Sequence, residues 1–341
     1  MRRAVFDLFS SRPVWQPTRE VLLRMRAAFP GDWDVAVVRH PTSSDGDGAR
    51  ASAAARRRVR GAEVYVGWGV APEIVTAAFG SLRWVHTAAA GVAGSISQEL
   101  RRSGAVLTNS RGVHAEPMAD WVLTAIGCCA RGFHAAVAAR HARRWAKDDF
   151  TDGTVPVREL RGLRVGIVGL GGVGRTIARR CAALGMVARG VRARPGRLPR
   201  GVEWVGGPEA LPDLACWCDV LVVSAPATPA TAQLIGASVL GRLRRGSFLV
   251  NVARGSLVDE QALIAVLDSG HLAGAVLDVF AVEPLPRQHP LWRHPCVLVT
   301  PHVSAVTDRF WEREAALVVD NVHRYLTGRR LRNRVNLQRG Y

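Results

Sequence analysis

The stretch Arg164-Val165-Gly166-Ile167-Val168-Gly169-Leu170-Gly171-Gly172-Val173-Gly174 runs a short β-branched segment straight into Gly-x-Gly-x-x-Gly, and a helical pattern continues through Leu184. Each glycine in that setting has a physical task. Gly169 makes the tight turn, Gly171 lets the backbone approach a pyrophosphate, and Gly174 permits close packing of the helix. The helix start offers free N–H groups and a positive dipole end, which together suit the pyrophosphate of a dinucleotide. The chain contains 34 glycines, so the pattern gains its weight from lying between a strand and a helix.

Apolar runs recur downstream at Val165–Val168, Val187–Val191, Val220–Ser224, Phe248–Val252, Ala275–Val279 and Val297–Thr300, with helical patterns between them. Strands alternating with helices form doubly wound parallel sheets. Upstream, Ala4–Phe9, Val35–Arg39, Glu63–Gly67, Trp84–Thr87 and Val106–Asn109 alternate with helical patterns such as Thr18–Ala28 and Ala51–Arg60. The expected class is therefore α/β, with two Rossmann-like or flavodoxin-like domains. One long helix is expected from Glu116 to about Arg140 and a last one over about Asp308–Leu326. The soft segment Pro41–Gly48 is too short for an interdomain linker.

The end of the second strand of the glycine-turn unit discriminates between dinucleotides. An acid there would bind the ribose 2′-hydroxyl of NAD, but the chain has Arg192 with Arg194 close by, and no acid from Met186 to Gly201. Guanidinium groups pair with a 2′-phosphate that a carboxylate would repel. NADP(H) is the expected cofactor and NAD(H) the alternative. Arginine is common throughout this chain, so the missing acid is the stronger half of the argument.

Ligands of such sheets sit beyond the carboxyl ends of the strands. Three residues stand out there: Arg254 after Phe248–Val252, Glu283 after Ala275–Val279, and His302 after Val297–Thr300. Reduction of a 2-oxo acid needs a hydride at the carbonyl carbon, a proton for its oxygen and a cation for the carboxylate. Arg254 can hold the carboxylate bidentately and polarise the carbonyl. His302 can move the proton near neutral pH, and a contact from Glu283 would fix its tautomer and favour the imidazolium. Singly, each has a structural alternative: a surface charge, the start of a Pro-rich turn and a satisfied loop histidine. Together, at strand ends downstream of a dinucleotide turn, they point to catalysis.

Composition bounds the rest. The chain has 341 residues, 48% of them hydrophobic, enough for two cores. Its apolar runs are far shorter than the roughly 20 residues of a membrane span, and Asp7 interrupts the first of them, so no signal-peptide core is expected and the expected location is the cytoplasm. Cys128, Cys129, Cys181, Cys216, Cys218 and Cys296 form no Cys-x-x-Cys pair and read as buried free thiols; no metal is expected. The net charge of +18 would suggest nucleic acid. A single lysine, Lys147, among 46 basic residues speaks instead for a codon-driven composition, and the clusters Arg56-Arg57-Arg58 with Arg60 and Arg329-Arg330 with Arg332 and Arg334 read as solvated faces.

At these residues the chain resembles the D-isomer-specific 2-hydroxyacid dehydrogenases, of the glyoxylate/hydroxypyruvate reductase type. The stretches that carry the likeness are Val165–Gly171, Pro226-Ala227-Thr228-Pro229-Ala230-Thr231, Asn251-Val252-Ala253-Arg254-Gly255, Leu277-Asp278-Val279-Phe280 with Glu283-Pro284, and Thr300-Pro301-His302. The resemblance implies that Arg254 binds substrate and that Glu283 and His302 are the acid/base pair. It implies cofactor contacts at Gly169, Gly171, Gly172, Val173, Gly174, Arg192, Arg194, Pro226, Thr231, Val252, Ala253 and Asp278. Backbone amides around Gly69-Val70 and at Gly91 would meet the substrate carboxylate, beside Arg254 and His302. It also implies a discontinuous substrate domain of residues 1–109 plus 304–341, a dinucleotide-binding domain of residues 110–303, a cleft between them, and a homodimer with Trp145 near its arm.

The chain departs from the family's common pattern at Arg192, where an Asp is frequent, and after Val92, where an acid is frequent. The first favours NADP(H), and the second leaves the acid's side chain open. A nucleotide-sensing corepressor or scaffold on the same fold is the alternative of another class. Chemistry on formate is disfavoured, because formate enzymes of this family carry Gln where this chain has Glu283.

Overall fold

In the computed structural model, which describes residues 1–42, 46 and 48–340, the chain divides into two compact units: Met1–His114 with Val306–Tyr341, and Ala115–Ala305. Residues 43–45 and 47 of the expected soft loop lie outside the described residues.

The first unit starts with β1 (Arg2–Asp7), α1 (Arg19–Arg26), β2 (Trp33–Val37), α2 (Ala53–Arg58) and β3 (Val64–Gly67). It continues with α3 (Pro72–Ala78), β4 (Trp84–Thr87), α4 (Gln98–Ser103) and β5 (Val106–Asn109). All strands pair in parallel in the order β2-β1-β3-β4-β5, the flavodoxin-like arrangement. β3 and β4 are buried along their whole length, as parallel strands covered on both faces must be. Helix starts are set by side-chain caps: Thr18, Ser52 and Ser97 accept from Val21 N, Ala55 N and Leu100 N.

One buried group in this unit is costly. Asp7 is 2% exposed; Tyr65 OH donates to its Oδ2 at 2.9 Å, while Oδ1 has no partner. Burial pushes its carboxyl up to about 6 from 3.8. A folded value above the unfolded one favours the fold only while the group stays protonated, so that contribution is lost as pH rises from 3.8 through about 6. Asp7→Asn, which keeps an acceptor for Tyr65, is therefore expected to stabilise the protein by roughly 3 kcal/mol above that window. The gain should shrink toward zero at the acid end, as denaturant titrations across pH would show.

The second unit contains α5 (Ala115–Ala130), α6 (Phe133–His141), α7 (Lys147–Thr151), β6 (Arg164–Val168), α8 (Gly172–Ala183), β7 (Val187–Val191), β8 (Trp204–Gly206) and α9 (Leu211–Trp217). Then follow β9 (Val220–Val223), α10 (Ala237–Leu240), β10 (Ser247–Asn251), α11 (Glu260–Asp268), β11 (Leu272–Leu277) and β12 (Val297–Val299). The seven parallel strands run β12-β11-β10-β9-β6-β7-β8, so the chain reverses direction between β6 and β9, where a doubly wound sheet binds its ligand. Sheet faces and helices enclose two apolar clusters, one around Leu221, Leu249 and Leu263 and the other around Ile126, Ile167 and Val250.

Three expectations need correction. The helix expected over Glu116–Arg140 is two helices, α5 and α6, bent by 70°. Gly132 between them has φ +66, and a Cβ there would fall 2.7 Å from Val155 Cγ1, so only glycine makes the turn. The sheet has a seventh strand, β8, too short to leave a periodic signal. Cysteine burial holds for Cys129, Cys181 and Cys218, whose thiols burial pushes up to about 12, but Cys216 is exposed. Both arginine clusters lie on exposed surface. No single helix among the described residues is long and apolar enough to cross a membrane.

The final helix, α12 (Phe310–Leu326), returns to the first unit. Its Phe310, Ala315, Val318 and Val322 join Phe6, Leu8 and Trp84 in one core. Inside that core His86 Nε2 lies 2.8 Å from Glu314 Oε1, both side chains fully buried, which ties α12 to β4.

Candidate active site

The glycine turn behaves as its letters require. Gly169 has φ +98, and a Cβ there would sit 2.6 Å from the Ala225 backbone just beyond β9. A Cβ on Gly174 would lie 2.1 Å from the Gly169 carbonyl oxygen, which shows how tightly α8 seats on β6. Gly171 is the opposite case: its Cβ would meet nothing within 4 Å. Two glycines are thus demanded by packing, and the third faces open space at the start of α8, where a phosphate could approach. Gly172 and Val173 form the first turn of that helix and are partly exposed.

Arg192 follows β7 directly. Its backbone N donates to Gly206 O at 3.0 Å and its Nη2 to Arg197 O at 3.0 Å, while its Nε is buried with no partner. Arg194 is fully on the surface. An orphaned guanidinium nitrogen at the end of the second strand, together with the open face of Gly171, fits a dinucleotide with an extra phosphate. On the β9 side, Thr231 Oγ1 donates to Pro226 O and accepts from Thr228 N, both at 2.8 Å, which folds the Pro226–Thr231 loop onto itself.

The three expected reacting residues follow adjacent strands. Leu277 is in register with Asn251 and Val299, so the loops after β10, β11 and β12 leave the sheet side by side. His302 Nδ1 lies 2.7 Å from Glu283 Oε2, and the side chains are 44% and 35% exposed. Glu283 spends its other oxygen on Phe280 N at 2.9 Å. Arg254 is exposed and donates through Nη1 to its own Ala253 O at 2.7 Å; it forms no bond to Glu283 or His302 among the described residues.

Asp278, expected as a cofactor contact, is completely buried, and the 300–304 loop takes up its oxygens. Oδ1 accepts from Thr300 Oγ1 at 2.5 Å and Val303 N at 2.8 Å, Oδ2 accepts from Ser304 N at 2.8 Å, and the backbone oxygen accepts from His302 N at 2.8 Å. These four bonds hold His302 at φ +56, a conformation that non-glycine residues seldom adopt and that needs such over-determination. Val252 and Ala253 are buried, with Ala253 N donating to Asn251 Oδ1 at 3.0 Å.

In the first unit, Gly69 and Gly91 carry amides with no acceptor among the described residues. Val70 differs from expectation: it is fully buried and its N–H donates to Ser95 Oγ at 3.0 Å, so its amide is already committed.

Sequence reading missed four supporting residues. Asn251 brackets the Arg254 loop from both sides, its Nδ2 donating to Arg254 O at 3.1 Å. Thr300 bonds Asp278. A Cβ on Gly255 would fall 1.8 Å from Phe280 C, so the loops bearing Arg254 and Glu283 pass in direct contact. Glu260 bonds the backbone of the same segment. Asn251 and Gly255, within Asn251-Val252-Ala253-Arg254-Gly255, and Thr300, within Thr300-Pro301-His302, stood in motifs without a role of their own; Glu260 had no signal in the letters.

A seven-stranded doubly wound sheet, a glycine turn at its reversal point and an imidazole–carboxylate pair beside an arginine loop define a chain of the dinucleotide-binding class. The sequence pattern of the D-isomer specific 2-hydroxyacid dehydrogenase NAD binding domain matches residues 123–304, more than half of it. The chain belongs to the D-isomer specific 2-hydroxyacid dehydrogenase family. It is 37% identical over 177 residues to glyoxylate/hydroxypyruvate reductase A of Yersinia enterocolitica, covering 52% of this chain and 56% of that protein. The chain thus spans about half the length of this curated relative. To (S)-sulfolactate dehydrogenase of Chromohalobacter salexigens it is 34% identical, covering 73% and 79%. The crystal structure of a D-isomer specific 2-hydroxyacid dehydrogenase from Xanthobacter autotrophicus Py2, in complex with NADPH and MES, matches 100% of this chain and 99% of its own at 32% identity and TM-score 0.80.

Proposed function

We propose that the chain is an NADPH-dependent reductase of small 2-oxo acids, glyoxylate and hydroxypyruvate being the leading substrates, with a D-2-hydroxy acid as product. The observation that carries the reading is the 2.7 Å contact between His302 Nδ1 and Glu283, one loop away from Arg254. With Nδ1–H donated to the carboxylate, Nε2 is left to exchange a proton with a carbonyl oxygen. Arg254 binds the carboxylate and polarises the carbonyl. NADPH, when held there, would supply the hydride that the carbonyl carbon takes up. His302 supplies the proton, so one hydride and one proton convert the 2-oxo acid to the alcohol, and solvent reprotonates the imidazole.

Residues Gly169, Gly171, Gly172, Val173 and Gly174 would hold the pyrophosphate, and Arg192 with Arg194 the 2′-phosphate. Pro226, Thr231, Val252 and Ala253 would flank the rest of the cofactor, with Asp278 acting from beneath through the His302 loop. In this reading residues 110–303 form the dinucleotide-binding domain and residues 1–109 plus 304–341 the substrate domain. The NADPH in the Xanthobacter structure supports the cofactor choice. Exposure of Phe133, Val137 and Trp145 at 60%, 46% and 90% supports a homodimer, since such apolar surface is what subunit contacts cover. The compartment proposed for it is the cytoplasm.

The test is a panel of 2-oxo acids assayed by loss of nicotinamide absorbance with NADPH and with NADH. Turnover of glyoxylate or hydroxypyruvate with NADPH is expected. NADPH binding without turnover of any acid would favour a nucleotide-sensing scaffold instead. In the same assay Arg192→Ser should lower kcat/KM for NADPH by about tenfold to a hundredfold, the worth of one or two charge-assisted bonds, while leaving NADH nearly untouched. Equal losses with both cofactors would remove Arg192 from 2′-phosphate recognition.

A further inference from the structure

Glu260 is the first residue of α11, but that helix start is already capped: Asp259 Oδ1 accepts from Gln261 N at 3.1 Å and Ala262 N at 3.0 Å. The Glu260 side chain turns elsewhere. Its Oε1 accepts from Ala281 N at 2.8 Å, and its Oε2 lies 3.4 Å from His289 Nε2, with the two side chains only 17% and 21% exposed. His289 Nδ1 accepts from Leu291 N at 3.4 Å, which leaves the ring proton on Nε2, aimed at Glu260.

Ala281 belongs to the segment that carries Glu283. Ala281, Val282 and Glu283 are all exposed, Val282 by 62%, so side-chain packing anchors the segment only at its start, where Phe280 is buried in the core. Hydrogen bonds and one backbone contact hold the rest. Phe280 N donates to Glu283 itself, Ala281 N donates to Glu260, and Gly255 presses against the peptide between them. Of these, Glu260 is the one side-chain anchor supplied from outside the segment.

We propose that Glu260, steadied by His289, is a positioning residue that fixes the Phe280–Glu283 segment so that Glu283 meets His302; the catalytic part of this inference rests on the reductase reading above. A carboxylate left to wander no longer holds one tautomer of the imidazole, so the loss falls on proton transfer and leaves ground-state binding intact. A first-turn acid that merely complemented the helix dipole would act differently, because its removal changes stability and not rate.

The experiment compares wild type, Glu260→Ala and Glu260→Gln by steady-state kinetics, NADPH fluorescence titration, and amide exchange of the peptide spanning residues 278–286. Glu260→Ala should lower kcat by about tenfold or more, with KM for the 2-oxo acid and NADPH affinity unchanged and with faster exchange at Ala281. Glu260→Gln keeps an oxygen for the Ala281 amide and should restore most of kcat and of the protection. Wild-type kcat in the alanine variant, unaltered exchange, or a glutamine variant as impaired as alanine would each overturn the proposal. Exchange does not depend on turnover. A wild-type protein that reduces no acid therefore overturns the reductase reading and with it the catalytic part of this proposal, while the exchange result still decides whether Glu260 holds the segment.

Discussion

Replacing His302 should reduce kcat by roughly two to four orders of magnitude while NADPH affinity stays near its wild-type value. The residue sits beyond β12, and none of its bonds reaches the glycine turn or Arg192. Alanine alone would be an ambiguous probe, because position 302 has φ +56 and a left-handed alanine costs about 1–2 kcal/mol. Asparagine tolerates that conformation and cannot donate a proton as an imidazolium does, so His302→Asn is the cleaner variant. Its loop should persist, since the 300–304 segment hangs on Asp278 through Thr300, His302 N, Val303 N and Ser304 N and not through the imidazole. Single-turnover kinetics with pre-bound NADPH would isolate the chemical step; an asparagine variant with unchanged rate would remove the imidazole from it.

Gly255→Ala is expected to be the most damaging single-methyl change in the site. The added carbon would lie 1.8 Å from Phe280 C and 2.2 Å from Ala281 N, backbone atoms that no rotamer change can move aside. The loop carrying Arg254 and the segment carrying Glu283 must then separate. Overpacking of this kind costs typically 1–3 kcal/mol and sometimes more, and a displacement of about 1 Å at reacting groups costs about a hundredfold in rate. Thermal unfolding and kcat/KM should therefore fall together. Wild-type values of both would mean that the two loops do not touch in solution.

Much of this architecture was legible because parallel strands buried on both faces leave uninterrupted apolar runs. Val64–Gly67, Trp84–Thr87 and Val220–Val223 are such runs and lie within a residue of where reading placed them. β8 was not legible: three residues, with Trp204 partly exposed, carry no period. The break at Gly132 was hidden because its cause is distant in sequence, the Val155 and Phe150 side chains that occupy the space a Cβ would need.

The same distinction holds in the site. Glu283 and His302 were expected as partners because their chemistry requires it, and they lie 2.7 Å apart. Asn251, Gly255 and Glu260 act through backbone atoms of neighbouring loops, which no spacing within one segment encodes. Val70 shows the reverse limit: a turn that looks like a free amide pair has one of its amides bound to Ser95, 25 positions further on.

The imidazole owes its pose to Asp278, and Asp278 can serve only when β12 has zipped onto β11. That ribbon is one of the sheet's two edges, three residues long and only half-covered. Competence is thus fastened to the border of the domain, where fraying begins. If His302 is the proton donor proposed above, warming should cost turnover while the hydrophobic interior is still intact, making lost function an early sign of an unravelling hem.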